Sequence, residues 1–304
     1  MLNIKIELPN GFLNEEVRWD YLITSKMKEV WAVELDLICE FDRVCKKHGL
    51  KYYACGGTAL GVERHKGFIP WDDDVDLTML REDYERLISL KDEFENPYFL
   101  QHYTTDKAFI FGFAKLQNLK TTALEQVNSP SCQGIFIDIF PEDNIPDDVK
   151  LLEAQKNKLL KKLRSMQIMV NSTYNYYPEA ETNSKLLFKK ILHALFKNLG
   201  LFKNTGYIKA KEFEKECKKY NKFKTERVSM LGFSPDNSRF QIDRNKFENI
   251  VWRDFEFIKL PCFEDNHGYL THFFGDYMTP VKGGSYHEGI FFDANKPYTE
   301  YTSK

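Results

Sequence analysis

The segment GGTALGVERHKGFIPWDDDVDLTML, residues 56–80, places Asp72, Asp73, Asp74 and Asp76 within five positions. Carboxylates this close repel one another, and a folded chain does not crowd them without compensation. Asp74 and Asp76 are two apart in a run that alternates apolar and polar, so a strand there points both side chains to one face. Oxygen ligands converging on one point suit a hard divalent cation, Mg²⁺ or Mn²⁺. Asp138 interrupts the apolar run GIFIDIF. A lone acid in such a strand is costly unless it faces a cation or solvent, so Asp138 is the third candidate ligand.

Acid runs in loops are often only solvated, and two aspartates flanking one residue form a weak motif. The double glycine upstream adds information. Gly56 and Gly57 separate a strand from a helix and offer exposed backbone N–H groups to a phosphate. Thr58 adds a hydroxyl at the same turn. A phosphate cradle with strand carboxylates is the working layout of phosphoryl- and nucleotidyl-transfer sites. Arg64, His65 and Lys66 precede the aspartates. They either reach a diphosphate and offset the acids or form an exposed basic turn, and the adjacent charge favours the former. Lys115, inside the apolar run IFGFAKLQN, snorkels to the surface or enters a polar site. Trp71, Tyr52, Phe109 and Phe111 offer rings for caging a quaternary ammonium, although core packing explains each ring by itself. His267, His272 and His287 do not have metal-ligand spacing.

The elements needed to position these residues are legible along the chain. LNIKIEL alternates as a short strand. Residues 25–48 form an amphipathic helix on Val30, Val33, Leu37, Phe41 and Val44, stopped by Gly49. LKYYAC is a strand, TALGVERH a short helix, DVDLTML a strand and REDYERLISLKDEF a helix. PYFLQHY, AFIFGFAKLQN and GIFIDIF follow as strands, the last closed by Pro141. The order predicts an α/β fold with a mixed α+β sheet carrying acids on adjacent strands. Composition divides the chain into a core over 1–146, a lysine-rich helical subdomain over 147–224 and a part over 225–304 that returns to the core, with a strand at FEFIKL and a helix near NHGYLTHFFGDYMTP. Within the subdomain, 184–202 has a Leu/Phe stripe opposite lysines. Packing of that stripe on the core is preferred over docking on an anionic membrane.

Bulk properties bound the function. The 304 residues are 42% hydrophobic and 29% charged, the balance of a soluble globular chain. A formal net charge of -2 argues against a globally basic nucleic-acid binder. Aromatics at 15% suit a pocket that stacks on rings. The six cysteines include no CxxC pair, which argues against structural zinc and for free thiols in a reducing cytosol. The first residues lack a signal-peptide pattern, and no run of about 18 apolar residues predicts a membrane span. The expected location is cytoplasmic, with peripheral contact at the inner face of the plasma membrane as the variant reading. The sequon at Asn171 is then accidental.

The stretch 56–79, the later GIFIDIFPED and the C-terminal FGDYMTP together resemble the LicD family, bacterial phosphocholine transferases related to fukutin-type sugar-phosphate transferases. The three blocks stand in the family's order over residues 52–280. The resemblance implies a nucleotidyltransferase-like fold and transfer of a phospho-alcohol, typically phosphocholine from CDP-choline, to a hydroxyl of a cell-surface glycan. That acceptor would be a teichoic acid, a lipopolysaccharide or a capsule precursor, lipid-linked in one reading, and CMP would leave. It further implies Asp74, Asp76 and Asp138 as metal ligands, Asp72 and Asp73 at the pocket mouth, Lys115 as a phosphate contact, and either Asp138 or Asp72 as the proton acceptor. Asp276 and Tyr277 match the third block without a stated role. The alternatives are a nucleotidyltransferase that releases pyrophosphate and a non-catalytic nucleotide-binding protein on the same fold.

Overall fold

The computed structural model of the chain describes residues 2–125, 129–173, 205–281 and 289–302. The helical stripe of 25–48 forms α1 (Ser25–His48), closed by Gly49 in the left-handed conformation at φ 62°. Val30, Val33, Leu37, Phe41 and Val44 on it are all buried. Removing each such side chain from water stabilises the fold by about 1.5–3 kcal/mol. Its N-cap is Thr24, whose hydroxyl accepts the Met27 N–H at 3.2 Å.

Beside α1 lies a seven-stranded sheet. It is built from β3 (Tyr53–Ala54), β4 (Asp76–Leu80), β5 (Tyr98–Gln101), β6 (Ala114–Asn118), β8 (Ile135–Asn144), β9 (Arg227–Ser229) and β10 (Ile242–Asp243). β8 is its axis. It runs parallel to β4, antiparallel to β6 along its first half, and antiparallel to β9 at its far end. A separate two-stranded pair joins β7 (Thr122–Leu124) to β13 (Phe291–Asp293). The chain is thus the mixed α/β fold expected. Between β3 and β4 lies α2 (Gly56–His65), and α3 (Arg81–Ser89) leaves the end of β4.

Three local expectations are corrected. LNIKIEL is not a strand. The N–H groups of Lys5 and Ile6 instead donate to the Asp36 carboxylate on α1, at 2.7 and 3.1 Å, so the segment is strapped to the helix rather than laddered. Strands instead occur at β1 (Glu16–Arg18) and β2 (Tyr21–Ile23), a hairpin whose turn is Trp19–Asp20. The strand over 108–118 starts only at Ala114, because Phe109, Phe111 and Phe113 stack on one another in the loop before it. FEFIKL is the bend of a hairpin, β11 (Ile250–Phe255) with β12 (Ile258–Phe263), with Glu256 in positive φ at the turn.

Outside the sheet, α4 (Val149–Thr173) packs against α5 (Thr205–Cys217) through Leu152, Leu159, Met166, Ala210 and Phe213. The amphipathic stretch 184–202 lies outside the described residues. α5 is tied to the sheet by a buried ionic group. Arg81 reaches both Asp143 oxygens at 2.7 and 2.8 Å and Glu214 at 3.1 Å, while Tyr103 donates to Glu214 at 2.6 Å. Asp143 is fully buried, so removing its partner strands a charge. We expect Arg81→Met to lower unfolding free energy in urea by about 3–5 kcal/mol. A change under about 1 kcal/mol would show that the group does not hold α5 to the sheet.

Candidate active site

The strand register builds one row across four strands. Asp76 is the first residue of β4 and stands beside Asp138 of β8. On the other side of Asp138 stands Lys115 of β6, and beyond it Gln101 of β5. Neighbouring strands lie about 4.8 Å apart, so Asp76, Asp138 and Lys115 project as adjacent members of one face. Asp74 does not share the strand as expected. It lies in the extended segment just before β4, because the ladder with β8 begins only at Asp76.

That segment folds its acids together. One oxygen from each of Asp72, Asp73 and Asp74 lies within 4.8 Å of the others. Asp73 is buried, and Asp72, Asp74 and Asp76 are half-buried. Burial pushes the Asp76 carboxyl well above its usual range, and Asp74, Asp138 and Asp72 add to this while Lys115 opposes it. Asp72 is raised in the same way, by burial, by Asp74, with which it shares a hydrogen bond, and by Asp73. This crowding ties the loop acids to the strand acid in one electrostatic unit. Such an oxygen-only set fits a divalent cation.

The glycines explain how backbone comes so close to the acids. Gly56 opens α2 at φ +52°, and a Cβ there would lie 2.9 Å from Asp76 Oδ2. A Cβ at Gly57 would lie 3.0 Å from Asp72 Oδ2. A side chain at either position would crowd these carboxylates where the first turn of α2 faces them. Thr58 is buried, and its hydroxyl accepts the Asp76 N–H at 2.8 Å, which fixes the start of β4. Tyr269, on α6 (Asn266–Phe274), donates no proton here but accepts the Gly56 N–H at 3.1 Å. Trp31 of α1 donates its indole N–H to the Asp72 carbonyl at 3.0 Å and stacks on Phe68 at 4.6 Å.

The remaining predicted residues separate into two groups. Lys115 is buried on the row, with its ammonium 2.8 Å from Glu125 and 3.7 Å from Asp138. Arg64, Lys66 and Trp71 are further out. Arg64 and Lys66 stand at the opposite end of α2 from Gly56. Arg64 donates to the Tyr277 carbonyl at 2.7 Å and to His65 at 2.9 Å, and Lys66 donates to the Glu63 carbonyl at 3.2 Å. The four-ring cage does not form. Tyr52 packs on Phe41 and hydrogen-bonds Asp42, whereas Phe109 and Phe111 belong to the Phe113 cluster. Trp71 instead meets Tyr21 and His65. Tyr277 ties the third block to α2 through Arg64 and to His267 through its hydroxyl at 2.8 Å. Asp276 accepts the exposed Thr279 hydroxyl, and His287 lies outside the described residues.

Two acids near the site were missed by sequence reasoning. Glu34 of α1 is buried, and its carboxyl is pushed well up by burial and then by Asp74, Asp73, Asp72 and Asp138. The signal was available, since Glu34 stands four residues after Val30 on the apolar stripe. Glu142 shares the Asp138 face of β8, two alternations along, where it accepts the Thr78 hydroxyl at 3.1 Å. Burial raises its pKa from 4.5 to about 8, with Asp143 adding and Thr78 opposing.

Comparison with known proteins agrees with the motif reading. Residues 49–166 match the family model described as LicD/FKTN/FKRP, nucleotidyltransferase domain. The chain is 26% identical over 260 residues to a lipopolysaccharide cholinephosphotransferase, LicD, of Haemophilus influenzae, covering 83% of this chain and 91% of that protein. An uncharacterized protein of Rickettsia prowazekii is 43% identical over 84 residues, 27% of this chain and 30% of that one. An uncharacterized protein of Rickettsia typhi is 34% identical over 73 residues, 21% and 24% of the two chains.

The raised Glu142 carboxyl gives a pH dependence with a defined sign. A group whose folded pKa exceeds its unfolded value stabilises fully below the unfolded pKa and loses that contribution as pH rises through the folded one. Wild-type stability should therefore fall between pH 4.5 and about 8, by on the order of 5 kcal/mol from this residue. Glu142→Gln should flatten that part of the curve in urea titrations across the range. An unchanged slope would show that Glu142 titrates normally.

Proposed function

We propose, from the match of residues 49–166 to the LicD/FKTN/FKRP nucleotidyltransferase-domain model, that the chain transfers a phospho-alcohol, most simply phosphocholine from CDP-choline, to a hydroxyl of a cell-surface glycan with release of CMP. The observation that carries this reading is the juxtaposition of two acid sets at one place: Asp72, Asp73 and Asp74 grouped before β4, and Asp76 beside Asp138 on the strand row, with Asp72 and Asp76 against the two glycines that open α2. The name of the Haemophilus influenzae relative supports phosphocholine as the group and lipopolysaccharide as one acceptor class. A nucleotide donor suits an enzyme working on the cytoplasmic side of a membrane, and among the described residues no helix is long and apolar enough to cross one.

Asp74, Asp76 and Asp138 would hold Mg²⁺ or Mn²⁺, with Asp72 and Asp73 beside them. Bound there, the cation would neutralise the donor's diphosphate and the charge that develops on it. The chain's own residues orient the reaction. The Gly56 N–H is held by the Tyr269 hydroxyl, so the phosphate would be met by the N–H groups that follow it in the first turn of α2. The acceptor oxygen forms a bond to the phosphorus that carries the alcohol, the bond from that phosphorus to the CMP oxygen breaks, and CMP leaves with the electron pair. Asp72 is assigned the acceptor's proton. Asp138 is instead engaged by the Lys115 ammonium, 3.7 Å away. Lys115 would thus serve the row of acids, through Glu125 and Asp138, rather than touch the donor.

Asp74→Asn and Asp76→Asn should each lower turnover by about 10³-fold or more while unfolding stays cooperative. Asp138→Asn should weaken Mg²⁺ affinity more than metal-free CDP-choline affinity. Assay of released nucleotide, with calorimetric titration of CDP-choline and of Mg²⁺, checks both. Full activity of either strand-end or loop variant contradicts the ligand assignment, and release of pyrophosphate from CTP in place of CMP from CDP-choline favours nucleotidyl transfer.

A further inference from the structure

The β1–β2 hairpin was not expected from the sequence, and it brings two rings to the rim of the site. Its turn residues Trp19 and Asp20 both have positive φ, 54° and 55°. Trp19 is 45% exposed and Tyr21 41%. The Trp19 ring lies 4.8 Å from His65, Tyr21 lies 6.0 Å from Trp71, and His65 lies 6.5 Å from Trp71. These rings meet edge to face, which leaves ring surface open to solvent.

The hairpin is clamped rather than loose. Arg18 donates to Glu256 at 2.9 Å, and Glu256 also accepts the Phe68 N–H at 3.1 Å. Lys28 of α1 pairs with Glu16 at the hairpin's start. The rings therefore stand in fixed relation to the loop that runs from Phe68 through Trp71 into Asp72. His65 is eight residues along α2 from Gly57, about 12 Å by helical rise. An extended oligosaccharide spans that distance.

Aromatic surface of this kind takes either a cation or the apolar face of a sugar ring. The local charges decide between them. The Arg64 guanidinium lies 6.0 Å from the Trp19 ring centre, and Arg18 is anchored beneath the same hairpin. After burial, these two arginines are what push His65 down to about 4. Arg18 is paired with Glu16 and Glu256, so Arg64 is the cation that a quaternary ammonium would meet at the Trp19 ring, with Asp20 of the turn as a counter-charge. A neutral sugar would meet ring faces and that same guanidinium as a donor for its hydroxyls. We propose that Trp19 and Tyr21, with Trp71 and Arg64, form the platform that holds a sugar ring of the acceptor glycan, apart from the carboxylate centre that takes the donor. This inference rests on the transferase reading above and names the acceptor side of that same site.

Saturation-transfer NMR tests it on the full chain with Mg²⁺ and CMP present. The probes are lipid-free oligosaccharides from lipopolysaccharide, teichoic acid and capsule. Trp19→Ala/Tyr21→Ala should weaken the bound oligosaccharide roughly fivefold or more. Its CDP-choline affinity, measured by calorimetry, should stay within about twofold. Trp19→Phe/Tyr21→Phe keeps the rings and should restore oligosaccharide binding, which separates lost stacking from a misfolded hairpin. The proposal is overturned if no oligosaccharide binds the wild type, if the alanine variant binds sugars as before, or if it loses CDP-choline instead. CDP-choline binding by the wild type reports separately on the transferase reading, so the two can fail independently.

Discussion

The interaction on which the site depends is repulsion among carboxylates. Asp76 and Asp138 stand side by side on parallel strands, and Asp72, Asp73 and Asp74 fold back towards them. Without a cation, burial and mutual charge push Asp72 and Asp76 towards their protonated forms. A fold that maintains this arrangement gives up stability at one place, and such strained charge is a mark of functional sites. Lys115 offsets part of it from β6, while Glu34 beneath the cluster increases it from α1.

The rest of the molecule can be understood as the frame for that crowding. β8 supplies the row, because its two faces of pairing set Asp138 between Asp76 and Lys115. α2 opens on glycines, where a Cβ would press on the Asp76 and Asp72 oxygens and where Gly56 has positive φ. α1 holds the Asp72 carbonyl through Trp31 and the N-terminal strap through Asp36. The C-terminal hairpin and α6 close the same core, with Phe263 stacked on Tyr53 at 4.8 Å and Tyr269 holding the start of α2. The aromatic rim at β1–β2 is attached to this frame through Arg18 and Glu256 rather than through the sheet.

Much of this was legible in the sequence, for physical reasons. α1 was readable because Val30, Val33, Leu37, Phe41 and Val44 keep a helical period despite Glu34 on the same stripe, and its end has a cation-rich turn followed by glycine. The alternation in 74–80 and the apolar run of 134–140 announced β4 and β8, and the acid within each marked where they meet. Register was not legible, so the pairing of Asp138 with Lys115 and the exclusion of Asp74 from the strand emerged only from the ladder. The N-terminal strap misled because its alternation serves a single carboxylate, Asp36, instead of a neighbouring strand. The aromatic residues misled for a different reason. Ring composition says nothing about which rings meet, and Trp71 found Tyr21 of a hairpin too short to show a period.

If shared coordination is what reconciles these acids, saturating Mg²⁺ should stabilise the folded chain itself, independently of any substrate. The most direct measurement is the thermal midpoint at neutral pH with Mg²⁺ against EDTA, for the wild type and for Asp76→Asn. A ligand at a hundred times its Kd adds about 2.7 kcal/mol. The wild-type midpoint should rise with Mg²⁺, and the variant should start higher in EDTA, its repulsion relieved, and gain little. A wild-type midpoint indifferent to Mg²⁺, or a variant that is less stable in EDTA and gains as much as the wild type, would contradict the account.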